Sequence, residues 1–346
     1  MKITFLTPNL EVHGGNIVLK KYAEYFSGLG HEIEVITSNR PQGLVLDKKI
    51  KIKTYDYCKL RYLDFFTFQL IYRNRIAKLI DKTDIIIPIY SPLLLAAIKA
   101  KKSKRLNTKI VLLFQDFFEM IWVGRIIRFM LSRKSIKKQL SGIMSVSTPI
   151  AKALKSDCGL TAEVIPNGIE HESFFPEGKK EDYILFVGRP QKPKGFPTFR
   201  AAVSILQKTN PGLKAKVVSP GNLERLEDGI EYVCYKDRPQ IRKLYSQAKV
   251  YVCASNGESF GLPPLEAMAC GTAVVLTDTV GTREYSRNGE NCFVVSVGDS
   301  TKLAEKIEKL LSDDKLREKF EKDGLITAKK YNWSKAENQF AEYLDL

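Results

Sequence analysis

A strand, a glycine-bearing loop, a helix and a second strand follow one another over residues 2–37, and the same order starts again at Tyr183. In the first pass KITFLT (2–7) is an apolar run of strand length, followed by a loop holding Gly14 and Gly15. Val18, Tyr22, Tyr25 and Phe26 then fall on one side of a helix from Asn16 to about Gly28, and Ile33–Thr37 is the next strand. In the second pass YILFVG (183–188) is a strand, Arg189–Gly195 a loop, Phe196–Lys208 a helix and Lys214–Ser219 a strand. Each pass is a βαβ unit. Further strands are expected at Ile50–Lys53, Asp84–Ile89, Lys109–Phe114, Gly142–Val146 and Ala162–Ile165. A second set is expected at Ile230–Cys234, Val250–Cys253, Thr272–Thr277 and Cys292–Val295, with helices between. Such alternation predicts parallel sheets covered on both faces. Two series in 346 residues predict an α/β protein of two Rossmann-like parallel-sheet domains, each able to bury its own core. The breaker-rich PNGIEHESFFPEGKK (166–180) marks the join, giving an N-terminal domain over 1–168 and a C-terminal domain over 169–346. The last helix, from about Trp333, is expected to pack back on the first domain.

Glycine loops that open such units often bind dinucleotides, but neither loop here fits. Gly14-Gly15 is no GxGxxG, the loop from Gly188 to Gly195 has no glycine between, and no GxxxxGK[ST] occurs. On spacing alone Gly14-Gly15 reads rather as an ordinary turn that needs positive φ. The chemistry lies in other residues. In VCASNGESFGLPPLEAMACGTAVV (252–275) a buried strand leads into a polar loop, and Pro263 and Pro264 then fall where a first helical turn tolerates proline. Glu258 lies in the loop and Glu266 in the first helical turn, both near the carboxyl end of a strand, where open α/β sheets bind ligands. Backbone amides between them can face an anion at a helix N-terminus. A first-turn glutamate also simply favours the helix dipole. Arg189 follows a strand end and Lys194 lies five residues later in the same loop. A guanidinium and an ammonium at a helix entrance suit a diphosphate.

Two stretches, VGRPQKPKG (187–195) and ESFGLPPLEAMACG (258–271), together resemble glycosyltransferase family four, retaining enzymes of the GT-B architecture, in which two Rossmann-like domains face each other across a cleft. HGG (13–15), LGHEIEVIT (29–37), VIPNGIE (164–170) and VGTREYSRNGENCFVV (280–295) extend the likeness over nearly the whole chain. The resemblance implies transfer of a sugar from a nucleotide-diphosphate sugar to an acceptor hydroxyl. The first domain would bind the acceptor and the second the donor. Arg189 and Lys194 would hold the donor's diphosphate and stabilise it as it leaves. Glu266 would bind the ribose hydroxyls, and Glu258 would lie beside the donor sugar. The amides of Phe260, Gly261 and Leu262 would contact sugar or phosphate, and Gly14 and Gly15 would let backbone approach donor and acceptor. No DxD occurs in the chain, so the resemblance implies no metal and no cofactor, with cations doing the work instead. Many relatives carry His-Asp where this chain has Gln115-Asp116. Glutamine can hydrogen-bond a sugar hydroxyl but cannot ionise near neutrality. Gln115 and Asp116 are therefore candidates for the sugar pocket only, Asp116 reading equally as a helix cap.

Charge narrows the partners. The chain carries a net +16, and residues 1–170 hold 28 Lys and Arg against 14 Asp and Glu. The excess is densest within residues 99–138. There FFEMIWVGRIIRFMLSRKSIKKQL (117–140) mixes six cations with Phe117, Phe118, Ile121, Trp122, Ile126, Ile127, Phe129, Met130 and Leu131. Such a stretch suits either an anionic membrane surface or the protein core with a solvated basic face. A nucleic-acid-binding protein is the rival from another class, but no RRM, KH or helix-turn-helix signature appears, so no nucleic-acid partner is expected. A sugar-nucleotide epimerase or phosphorylase of the same fold remains the rival among enzymes. Six scattered cysteines with no CxxC pair read as reduced thiols, and three histidines do not cluster into a metal site. No signal peptide or bilayer-spanning run is read, so the chain is expected in the cytoplasm, peripheral on the inner face of the plasma membrane. The partners expected are a nucleotide sugar and a glycan or lipid-linked acceptor, in surface glycan or glycolipid synthesis.

Overall fold

Short runs of β-branched and aromatic residues, apolar on both faces, make up most of the strands, and each is paired in parallel with its neighbours. The structure, a computed structural model, describes residues 1–39, 43–56, 72–115, 124–188, 194–219 and 229–346. The first sheet contains β1 (Lys2–Leu6), β2 (Glu32–Ser38), β3 (Lys51–Tyr55), β4 (Ile85–Pro88), β5 (Lys109–Phe114), β6 (Gly142–Ser145) and β7 (Glu163–Val164). Their order is β3-β2-β1-β4-β5-β6-β7. The second contains β8 (Glu181–Val187), β9 (Lys214–Ser219), β10 (Ile230–Cys234), β11 (Ala248–Cys253), β12 (Ala273–Thr277) and β13 (Phe293–Val295), in the order β10-β9-β8-β11-β12-β13. Burial on both faces explains why inner strands such as β4, β5 and β12 read as unbroken apolar runs, whereas the edge strands β3 and β10 are largely unburied. Ile3, for instance, is fully buried and stands in register with Ile33 on one side and Ile85 on the other.

Both sheets share one topological property. The chain winds outward from the first strand of each sheet and then returns to that strand's other side. β1 therefore lies between β2 and β4, and β8 between β9 and β11. Connections diverge at these points and leave a crevice at the carboxyl edge of the sheet.

The chain divides into two compact units, Met1–Pro166 with Ala336–Leu346, and Asn167–Lys335. The last helix, Trp333–Leu344, starts in the second unit and continues in the first, where it completes the core. The Phe340 ring meets Tyr22 at 4.7 Å and Phe26 at 5.6 Å, and the Ile143 N–H donates to Tyr343 Oη at 3.0 Å. In the second unit Phe186 packs on Phe199 at 4.9 Å and Phe293 on Phe320 at 4.8 Å.

Two local expectations are corrected. Gly14 and Gly15 form no loop: they are the first residues of the helix Gly14–Gly28, neither has positive φ, and His13 takes the N-cap position. Glu266 is not in a first turn, because the helix that carries it begins at Leu262, with Gly261 as N-cap and an αL backbone. Proline is tolerated throughout a helix's opening turn, so Pro263 and Pro264 do not by themselves mark where that turn starts. Glu266 therefore stands a turn deeper, beyond the reach of the simple dipole argument.

Candidate active site

Lys194 and Glu258 meet at the carboxyl edge of the second sheet, beside the crevice flanking β8. Lys194 belongs to the loop after β8 and Glu258 to the loop after β11, neighbouring strands. The close approach of these loops depends on Gly195. Its φ is +69°, and a Cβ there would overlap the Ala254 carbonyl, so only glycine lets the chain pass. Lys194 Nζ then donates to Glu258 Oε1 at 2.7 Å. The Glu258 side chain is only 12% exposed, and its charge holds the Lys194 pKa above the usual lysine value. Ser255, buried, donates from Oγ to the same Oε1 at 2.6 Å, while its carbonyl accepts from Thr277 Oγ1 at 2.5 Å. The Gly281 N–H donates to the Glu258 carbonyl at 2.9 Å. Carboxylate and backbone of Glu258 are thus fixed together.

Past Glu258 the loop turns into the helix Leu262–Ala269 through Gly261, whose φ is +82°. Tyr285 Oη donates to the Gly261 carbonyl at 2.6 Å. No backbone carbonyl among the described residues takes the amides of Phe260, Gly261 or Leu262, and Pro263 and Pro264 have none to offer. The donors at this helix start are therefore the loop's own. One turn on, Glu266 Oε2 accepts from Tyr245 Oη at 3.1 Å. Burial pushes the Glu266 carboxyl up to about 7, although the Tyr245 hydrogen bond and the Arg238 charge favour its ionised form. A carboxyl with one hydrogen-bond partner among the described residues and a desolvation cost is well placed to accept ligand hydroxyls.

At the carboxyl edge of the first sheet, Gln115 follows β5 and its Nε2 donates to the Gly15 carbonyl at 3.0 Å. A Cβ on Gly15 would sit 3.1 Å from that Nε2, whereas one on Gly14 would meet nothing within 4 Å. Gln115 Oε1 is buried with no hydrogen-bond partner among the described residues. Asn16 fixes the preceding loop, donating from Nδ2 to the Asn9 carbonyl at 3.0 Å and the Glu11 carbonyl at 2.9 Å.

Of the residues singled out in the sequence, Lys194, Glu258, Phe260, Gly261, Leu262 and Glu266 share one region of the second unit, while Gly14, Gly15 and Gln115 share one of the first. Arg189 and Asp116 lie outside the described residues, as do Phe117, Phe118, Ile121 and Trp122. Ser255, Tyr245, Tyr285 and Asn16 were missed, since a buried serine or tyrosine leaves no mark on periodicity. Among the described residues no three His, Cys, Asp or Glu side chains are grouped to hold a metal ion. Nor is any helix among them long and apolar enough to cross a membrane. In the basic stretch, Met130 and Leu131 are buried and Arg128 pairs with Asp157 at 3.0 Å. Phe129, by contrast, is 69% exposed with the Arg133 guanidinium 5.7 Å from its ring.

Comparison with known proteins follows the same division of the chain. Residues 169–325 match the family described as Glycosyl transferases group 1, and residues 12–173 match Glycosyltransferase Family 4. The phosphatidyl-myo-inositol mannosyltransferase of Mycobacterium leprae is 30% identical over 218 residues, a match covering 58% of this chain and 58% of that protein. The sucrose-phosphate synthase of Thermosynechococcus elongatus superposes with a TM-score of 0.82 at 18% identity, covering 99% of this chain and 98% of the other. HepE of Anabaena, solved in complex with UDP-glucose, superposes with a TM-score of 0.78 at 18% identity, covering 100% of this chain and 99% of the other.

Proposed function

We infer that this chain, which belongs to glycosyltransferase family 4 and has the GT-B fold, moves a sugar from a nucleoside-diphosphate donor to an acceptor hydroxyl with retention of configuration. The observation that carries the reading is the Lys194–Glu258 pair, held at 2.7 Å at the switch point of the second sheet. An ammonium beside a carboxylate there offers one group to a diphosphate and the other to a sugar. The UDP-glucose bound by HepE supports a nucleotide sugar as donor. The mannosyltransferase's name, which includes a phosphatidylinositol, supports a lipid-linked or glycan acceptor and a place in surface glycan or glycolipid synthesis.

The chemistry follows from charge. As the bond between the sugar's anomeric carbon and the diphosphate breaks, negative charge grows on the phosphate. Lys194, with Arg189, stabilises it there in place of a metal ion. Glu258 accepts a hydrogen bond from the donor sugar and favours positive charge at the anomeric carbon, its carboxylate oriented by Ser255. Glu266 accepts the ribose hydroxyls. The amides of Phe260, Gly261 and Leu262 donate to sugar or phosphate. The acceptor oxygen bonds to the anomeric carbon on the face the leaving group vacates, and its proton passes to the departing phosphate oxygen. On the first unit, Gly14, Gly15, Gln115 and Asp116 are assigned to the sugar and the acceptor. Gln115 Oε1 serves as a hydrogen-bond acceptor that takes no proton. The cytoplasm, with residues 99–138 on an anionic membrane surface, is the location proposed; free Cys158, Cys234, Cys253, Cys270 and Cys292 accord with a reducing compartment.

Proton NMR of a reaction mixture tests the reading. With a panel of nucleotide sugars and a lipid-linked or glycan acceptor, a new glycoside is expected to form only when donor and acceptor are both present, with the donor's anomeric configuration. An inverted product rules out retention. Conversion of the donor without acceptor rules out transfer as the primary activity.

A further inference from the structure

We propose that a pocket on the second unit, formed by the loop over residues 284–291 and the chain over 319–331, is an accessory site for a neutral oligosaccharide. Its volume is about 510 Å³, within the roughly 300–1,000 Å³ typical of small-molecule sites. The charges lining it balance: Glu284, Glu290 and Asp323 stand against Arg287, Lys319 and Lys330. An anion drawn to the cations is opposed by the carboxylates, and a cation meets the converse. A polyol takes hydrogen bonds from one set and gives them to the other without bringing a charge of its own. Ile326, half exposed, and the Tyr331 ring supply apolar surface for the C–H face of a sugar ring.

The walls are already fixed. Asn291 is buried, and its Nδ2 donates at 2.9 Å both to the Tyr285 carbonyl and to Thr327 Oγ1. Its Oδ1 accepts from the Arg287 N–H at 2.8 Å. Lys319 Nζ donates to the Gly289 carbonyl at 3.3 Å, tying the helix Asp314–Ala328 to the loop. A site formed before its ligand arrives loses less ordering entropy on binding.

The pocket also backs onto the loop of Glu258. Tyr285 lines it and holds the Gly261 carbonyl, while Tyr331 Oη donates to the Glu284 carbonyl at 3.3 Å. The rings of Phe260, Tyr285 and Tyr331 meet edge-on, with centroids between 5.7 and 6.2 Å apart. A saccharide resting on Tyr331 is thus one side chain removed from Phe260.

The test titrates the whole protein with maltotriose, mannotriose, chitotriose and glucose 6-phosphate, followed by saturation-transfer NMR and calorimetry. At least one neutral trisaccharide is expected to bind. Its affinity should fall tenfold or more in Ile326→Glu, whose half-exposed position tolerates the change, and measurably in Lys330→Ala. It should be unchanged in Lys194→Ala, which separates this site from the donor site. The proposal is overturned if no trisaccharide binds at roughly 10 mM, if Ile326→Glu binds as the parent does, if UDP displaces the saccharide competitively, or if glucose 6-phosphate binds more tightly than every neutral sugar.

Discussion

Glu266 shows how much one side chain can carry at this site. Its carboxyl has an ordinary value of 4.5 and is pushed up to about 7 by burial, so the folded protein holds its proton where the unfolded chain has lost it. Folded stability from this group is fully present below about pH 4.5 and is lost as pH rises through about 7. Replacing Glu266 by Gln removes the titration while keeping a hydrogen-bonding side chain for Tyr245. The ligand-free variant is therefore expected to gain on the order of 2–3 kcal/mol over the parent at pH 8 and little at pH 4. Urea denaturation at both pH values measures it, and a difference that does not change with pH would contradict the assignment. The same variant should bind nucleotide more weakly, since an amide offers the ribose one acceptor oxygen instead of two. The spacing of Glu258 and Glu266 was legible in the sequence. Their supports, Ser255 and Tyr245, were not, because nothing local to a serine or tyrosine distinguishes a hydroxyl that reaches a carboxylate from one that faces water.

At the level of elements, buried parallel strands were the easiest features to read. Lys109–Phe114, buried but for its first residue, matches the expected bounds residue for residue, because an apolar run of strand length between breakers has few other solutions. Lys214–Ser219 and Ile230–Cys234 match as well, although the latter is a largely unburied edge strand. Helix starts were harder. A glycine pair before an amphipathic run looks the same whether it precedes the helix or opens it, and Gly14-Gly15 opens it. The helix Gly124–Ser132 lies between these cases. Its Met130 and Leu131 face the core, as one reading of the basic stretch held, yet Phe129 stands exposed beside Arg133. An exposed aromatic flanked by cations is the pattern of an interfacial anchor. Sedimentation with phosphatidylglycerol vesicles at low salt is expected to pull the protein down, and to do so less well for Phe129→Ser. Binding should weaken as salt screens the headgroups. Equal sedimentation with uncharged vesicles, or no effect of Phe129→Ser, would remove this helix as the contact.

Over the whole molecule, two sheets built on one winding rule account for where the chemistry falls. Each returns to its first strand and leaves a crevice at the carboxyl edge. In the second sheet that edge gathers Lys194, Glu258 and the loop amides from segments far apart in the chain. This convergence followed from the repeated βαβ order and could be read in advance; the ion pair's length and the role of Gly195 needed coordinates. The central claim is that positive side chains grip the donor's diphosphate without a divalent ion. Calorimetric titration of a nucleoside diphosphate in excess EDTA, for the parent and for Lys194→Ala, tests it most directly. A charge-assisted hydrogen bond contributes about 1.5–3 kcal/mol, so the substitution is expected to weaken binding roughly tenfold to a hundredfold, with parent affinity unaffected by the chelator. Unchanged affinity in Lys194→Ala, or loss of parent binding in EDTA, would contradict it.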